Sequence, residues 1–135
     1  MSYLFDSDVC IDLLRNENAN VVDAIGKIMD RIGALDCLTS VVVESELAVG
    51  AFKAPNRDTM FEKLDALLGR FSVLPIDREI ARKYAEIRAS LERRGTTIGS
   101  NDAYIAATAL THDLTLLTRN LREFGRVEGL RVETV

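Results

Sequence analysis

The chain has 135 residues, 47% of them hydrophobic and 28% charged, which is enough apolar side chain to bury a core in one domain and too much for a disordered chain. A net charge of −4 and a pI near 5.0 argue against a protein that holds nucleic acid by general positive charge. No apolar run approaches the ~20 residues needed to span a bilayer.

The chain opens with Tyr3-Leu4-Phe5, read as a strand over 2–6 that stops at two aspartates, Asp6 and Asp8. The run is too short for the apolar segment of a secretory signal, and acids follow it at once, so a cytoplasmic protein is expected. Residues 8–15 read as a short helix, with Asp8 either its cap or a second acid facing the same site as Asp6. Val22, Ile25, Ile28, Met29 and Ile32 recur at helical spacing over 19–33, and Gly33 ends that helix. A second strand is read over 36–40 and a helix over 41–52. A further helix over 57–69 carries Met60, Phe61, Leu64, Leu67 and Leu68 on one face, more than a lone surface helix needs, so part of it is expected to meet a second copy or another protein.

"FSVLPI" (71–76) reads as the third strand. Asp77 caps a long helix that runs to Arg94 and breaks at Gly95. An alanine-rich helix follows over 101–112, then strands over 114–118 and 130–135. Strands alternating with helices predict an α/β fold with a parallel sheet of about five strands, in a single domain over 1–135. In such sheets, ligands bind beyond the carboxyl ends of the strands. Asp6 lies at one such end, and Thr118 to Asn120 follow another.

The residues able to do chemistry are few. Cys10 and Cys37 make no C-x-x-C pair and no zinc spacing, and both sit in apolar runs as buried small hydrophobes. The one histidine, His112, reads as a solvated residue at a helix end. Carboxylates are left, and three stand out by position: Asp6 at a strand end, Glu46 on the helix after strand two, and Asp102 at the start of the alanine-rich helix. Asp102 also suits a plain role beside a helix N-terminus. Glu44 competes with Glu46, because two residues turn a helix by about 200° and only one of the pair can face a given site. Hard oxygen ligands without His or Cys suit Mg²⁺ or Mn²⁺, the metals of phosphoryl chemistry. Arginine is locally abundant. "TRNLREFGRV" has one acid among Arg119, Arg122 and Arg126 and is the better candidate for a phosphate contact.

Four motifs, taken in order, carry a resemblance. "YLFDSDVCIDLL", "SVVVESELAVGA", "YAEIRASLERRGTTIGSNDAYIAATAL" and "LTLLTRNLREFGRVEGLRVE" resemble successive segments of the PIN-domain ribonucleases, and most closely the VapC toxins of prokaryotic toxin–antitoxin pairs. The resemblance implies a three-layer α/β/α sandwich with a central parallel sheet. It also implies a metal-dependent endoribonuclease acting on RNA, a VapB-like antitoxin that covers the acidic site, and a homodimer. On that resemblance Asp6, Asp102 and Glu46 match the metal-binding acids, with Asn120 beside them and Thr118 and Ser7 in support. The opening turn reads Asp6-Ser7-Asp8 where Asp-Thr-Asn is usual, so Asp8 adds a charge. Asn120 is an amide where some relatives have a fourth acid. Two alternatives stand beside this reading: a haloacid-dehalogenase-like phosphatase, which Asp-x-Asp at a strand end also opens, and a dimerising antitoxin-binding module without strong catalysis.

Overall fold

Five short apolar stretches pair into one sheet. The structure is a computed structural model and describes residues 1–135. Strands β1 (Tyr3–Phe5), β2 (Cys37–Ser40), β3 (Ser72–Leu74), β4 (Thr115–Leu117) and β5 (Val132–Glu133) lie in the order β3-β2-β1-β4-β5. Every pairing is parallel, and Tyr3 faces Cys37 on one side and Thr115 on the other. All residues of β1 and β4 are buried. A strand shielded on both faces needs helices above and below it, so the three-layer α/β/α sandwich follows.

The helices are α1 (Ser7–Arg15), α2 (Ala19–Ile32), α3 (Val41–Lys53), α4 (Arg57–Leu68), α5 (Arg78–Arg93), α6 (Ser100–Thr111) and α7 (Leu121–Phe124). Their ends follow local chemistry. Gly33, at φ 85°, ends α2 and donates its N–H to the Met29 carbonyl at 2.9 Å. Asp77 caps α5 by accepting from the Ile80 N–H at 2.9 Å, and Gly95 turns the chain out of α5 at φ 69°, a conformation that favours glycine. The small side chains Ala103, Ala106, Ala107 and Ala109 are all buried, which lets α6 lie close to its neighbours. Tyr104 of α6 stacks on Tyr84 of α5 with ring centroids 3.9 Å apart.

The structure departs from sequence expectation at several boundaries. Helix α1 begins at Ser7 with Asp6, not Asp8, as its cap. A 3₁₀ turn at Ala34–Asp36 precedes β2. The last strand is two residues long, because only Val132 and Glu133 reach register with β4. Helix α7 has no counterpart in the sequence reading. At four residues it is about one turn, too short to show a 3.6-residue period. On α4, Leu64 and Leu67 are buried in the core, with Phe61 and Leu68 packed against it, and Phe61 meets Phe52 of α3 edge-on at 4.7 Å. Most of that face is therefore used within the chain. The large apolar side chains left exposed on α3 are Val49 and Phe52.

Two glycines predict opposite effects of one added methyl. A Cβ at Gly125, just beyond α7, would lie 2.7 Å from the Leu121 carbonyl oxygen, whereas one at Gly26, inside α2, meets nothing within 4 Å. Gly125→Ala is expected to destabilise by about 1–3 kcal/mol through overpacking. Gly26→Ala is expected to stabilise by about 0.5–1 kcal/mol. Urea unfolding of both variants checks the signs.

Candidate active site

Asp6 stands where β1 ends and α1 begins. Its N–H donates to the Leu117 carbonyl at 3.0 Å, which carries the β1–β4 ladder one residue past the strands. Its Oδ1 accepts from the Ser7 N–H at 2.8 Å and caps α1. Its Oδ2 accepts from the Thr118 hydroxyl at 2.7 Å. Thr118 is fully buried and follows β4 directly. Strand order reverses between β1 and β4, so the pair occupies the switch point of the sheet. Asp6 is 4% exposed. Burial, aided by the charges of Asp8 and Asp102, pushes its carboxyl up to about 7 against the hydrogen bonds from Thr118 and Ser7.

Asp8 ties α1 to the segment after β4. Its Oδ2 accepts from the Arg119 N–H at 2.9 Å and lies 3.3 Å from Thr118 Oγ1. A hydroxyl has one proton, and the shorter contact to Asp6 takes it, so the backbone N–H is the donor to Asp8. Thr118 Oγ1 in turn accepts from the Asn120 N–H at 3.0 Å. Asn120 thus reaches the site through its backbone, and its half-buried side chain makes no hydrogen bond within the chain.

Helix α3 brings Glu46 and the first turn of α6 brings Asp102, both half-buried. Burial raises the Glu46 carboxyl, with Asp102 and Asp8 adding to it and the side chains of Ser7 and Asn101 opposing. Burial also raises Asp102, with Glu123 and Asp8 adding. Asp6, Asp8, Glu46 and Asp102 therefore share one electrostatic field, and Glu46 is the member of the Glu44/Glu46 pair that couples to the other acids. Glu46 Oε1 is shielded from solvent and has no hydrogen-bond partner. Glu123, on α7, joins this field without having been singled out from the sequence. The signal was its position three residues beyond Asn120, in a stretch read only as loop and arginines.

No three of these side chains close into a ready-made metal cage. The donor set nevertheless fits a hard divalent ion. All donors are oxygens, Asp6, Glu46 and Asp102 hold their protons more tightly than usual, and one shielded carboxylate oxygen lacks a partner. Mg²⁺ in particular keeps several waters and does not need an all-protein cage. The 280 Å³ groove lined by Lys83, Glu86, Leu91, Arg94 and Val127 lies along α5 and includes none of these acids.

These features define an α/β protein with a carboxylate site at the switch point of a parallel sheet. The chain belongs to the PIN domain family, whose model matches residues 3–130, and the haloacid-dehalogenase alternative falls with that finding. Over 133 residues it is 32% identical to a tRNA(fMet)-specific endonuclease VapC from Shigella flexneri, covering 98% of this chain and 97% of that protein. It is 30% identical to the protein of the same name from Salmonella typhimurium, with the same coverage. Among solved structures, a DNA-bound VapBC from Salmonella typhimurium superposes with a TM-score of 0.90 at 29% identity, covering 99% of this chain and 98% of that one. VapBC2 from Rickettsia felis, bound to a promoter DNA fragment, gives 0.89 at 27% identity, covering 100% and 99%.

The raised acids predict how stability depends on pH when no metal is bound. Asp6 holds its proton to about 7 when folded, against an ordinary value of 3.8. Between those values the folded chain binds a proton that the unfolded chain has released, so stability falls as pH rises through that window and levels off above it. At about 1.4 kcal/mol per unit, the loss from Asp6 is on the order of 4 kcal/mol at most. Glu46 and Asp102 shift in the same direction. Asp6→Asn keeps a good cap and is expected to lose much less on going from low to neutral pH. Thermal melts of both proteins in EDTA across that range check it.

Proposed function

We propose that this protein is a divalent-metal-dependent endoribonuclease, the toxin of a toxin–antitoxin pair, cutting RNA phosphodiester bonds at the carboxylate site. The observation that supports this reading is the charge coupling of Asp6, at the switch point, to Asp8 and Asp102, and of Glu46 to Asp102 and Asp8, with Glu46 Oε1 shielded and unpartnered. Clustered acids of this kind repel one another unless a cation joins them. The relatives named tRNA(fMet)-specific endonuclease and the neighbours solved as VapBC complexes support the reaction class and a VapB-like antitoxin as partner.

Asp6, Glu46 and Asp102 would hold the ion, Mg²⁺ or Mn²⁺. A bound ion of this kind supplies charge neutralisation at the scissile phosphate and an activated water. The chain's own contribution is orientation. Thr118 and the Ser7 N–H fix the two oxygens of Asp6, and the Asn120 N–H fixes Thr118. Asp8, held by the Arg119 N–H, adds negative charge beside the site, partly restoring what Asn120 lacks. Residues 1–135 act as a single PIN domain in this reading, working as a homodimer in the cytoplasm, where its RNA lies. No helix is long and apolar enough to cross a membrane.

The purified chain is expected to cleave RNA with Mg²⁺ or Mn²⁺ and to lose that activity in EDTA. Undiminished cleavage in excess EDTA would overturn the metal mechanism. Asp6→Asn is expected to abolish cleavage. Asp8→Asn keeps an acceptor for the Arg119 N–H and should stay within about tenfold of wild type, or about 1.4 kcal/mol of barrier. A loss of about a hundredfold or more, with circular dichroism unchanged, would instead make Asp8 a metal ligand.

A further inference from the structure

The three arginines after β4 differ in what they touch. Arg126 turns away and donates to the Thr97 carbonyl at 2.7 Å. Arg122 is exposed and makes no polar contact within the chain. Arg119 is joined to the site on both sides. Its N–H holds Asp8, and its guanidinium Nη1 pairs with Asp12, one turn further along α1. Its pKa is raised by the Asp12 contact first and by the charge of Asp8 as well, so it is a cation held between Asp12 and Asp8.

Three further facts bear on what that cation does. The Arg119 side chain is 40% exposed, so it faces solvent at the rim and is not consumed in the core. Asp12 engages only Nη1, and Nε and Nη2 have no acceptor in the chain, which leaves donors in a planar fork suited to a phosphate. The groups that shift Asp6, Glu46 and Asp102 are carboxylates and neutral hydrogen-bonding groups, with no cation among them. A polyanion approaching these three acids meets negative charge, and Arg119 is the cation that bonds to residues beside them. One turn of α1, about 6 Å of axial rise over four residues, separates Asp8 from Asp12. The guanidinium, paired with Asp12, is therefore anchored about one turn of α1 beyond Asp8.

We infer that Arg119, held by Asp12, is a substrate-binding residue that takes an RNA phosphate flanking the scissile one. This rests on the ribonuclease reading above. Asp12 is a positioning residue. It fixes the long arginine side chain before RNA arrives, so less side-chain freedom is lost on binding, and the free donors meet the phosphate. Such a contact reads no base and adds affinity without sequence preference.

The test uses the full chain carrying Asp6→Asn, so that RNA is not cut, and a fluorescein-labelled single-stranded RNA oligonucleotide at fixed Mg²⁺ over a KCl series. Adding Arg119→Ala is expected to weaken binding about tenfold at low salt and to flatten the plot of log affinity against log salt by about 0.7, the value of one phosphate on a single strand. Arg119→Lys is expected to keep the slope and lose part of the affinity, because the charge stays and the fork is lost. In the otherwise wild-type chain, Arg119→Ala should raise KM more than it lowers kcat. An unchanged salt slope and affinity, with RNA still bound by the parent, would overturn the role of Arg119 and leave the ribonuclease reading intact. No RNA bound by the parent and no cleavage by the wild-type chain would overturn both. A lowered Tm in Arg119→Ala with RNA binding intact would make the Asp12 pair purely structural.

Discussion

The burial of one carboxylate between two strand ends is the constraint on which the rest of the structure depends. Asp6 and Thr118 are 112 residues apart in sequence, yet they meet because the parallel register of β1 and β4 leaves them no alternative. Phe5 stands opposite Leu117, so the next residue of each strand falls beside the other. A slip of one residue would exchange the two faces of β1, turning Asp6 away from Thr118 and forcing every buried side chain of the strand to repack against the opposite layer. The hydrophobic pattern of β1 and β4, buried at every position, thus fixes where the acid points. The site's geometry is a by-product of core packing.

The same carboxylate also starts a helix. Asp6 Oδ1 caps α1, and the positive end of the helix dipole favours its charged form, as does the Thr118 hydroxyl. Burial opposes both and prevails, since the carboxyl is pushed up to about 7. Function accounts for the imbalance. A fully compensated carboxylate would hold its negative charge quietly and would have little to gain from a cation. The chain keeps Asp6 pointed by hydrogen bonds and under-compensated in charge, and Glu46 Oε1 is left without any partner. In the metal-site reading, clustered acids trade metal-free stability for a site, a trade-off usual at functional centres.

Much of this was legible in the sequence, and what was missed shares a cause. Strand and helix order, the Gly33 and Gly95 stops and the Asp77 cap follow from neighbours within a few residues, and local chemistry decided them. Asp6, Glu46 and Asp102 could be named as separate acids, but their convergence came from motif order, because no short-range rule brings residues 6, 46 and 102 together. Of the two readings of Asp8, cap or site-facing, the cap falls to Asp6, and the donor that holds Asp8, the Arg119 N–H, is 111 residues away. The apolar face of α4 exceeds what a lone surface helix needs because Leu64 and Leu67 enter the core while Phe61 packs on Phe52, which the sequence does not show. Glu123 escaped notice for the reason α7 did, since one helical turn leaves no period to read.

Net charge would have placed this chain far from any polyanion, yet its site makes sense only beside one. Global charge sets long-range steering, while the site sets what happens within a Debye length of about 8–10 Å. At that range the field belongs to the acids of α1, α3, α6 and α7, with Arg119 at its rim. A cation bound among the acids changes two things together. It relieves the repulsion among the acids, and it offsets much of the negative charge that a phosphate meets. Ligand binding stabilises the folded state in proportion to RT ln(1 + [L]/Kd), and linkage makes the coupling between ion and phosphate reciprocal. An ion that admits RNA to this edge must itself be held more tightly once RNA is there. The orphaned oxygen of Glu46, the raised carboxyl of Asp6 and the free donors of Arg119 are three expressions of that one unbalanced field.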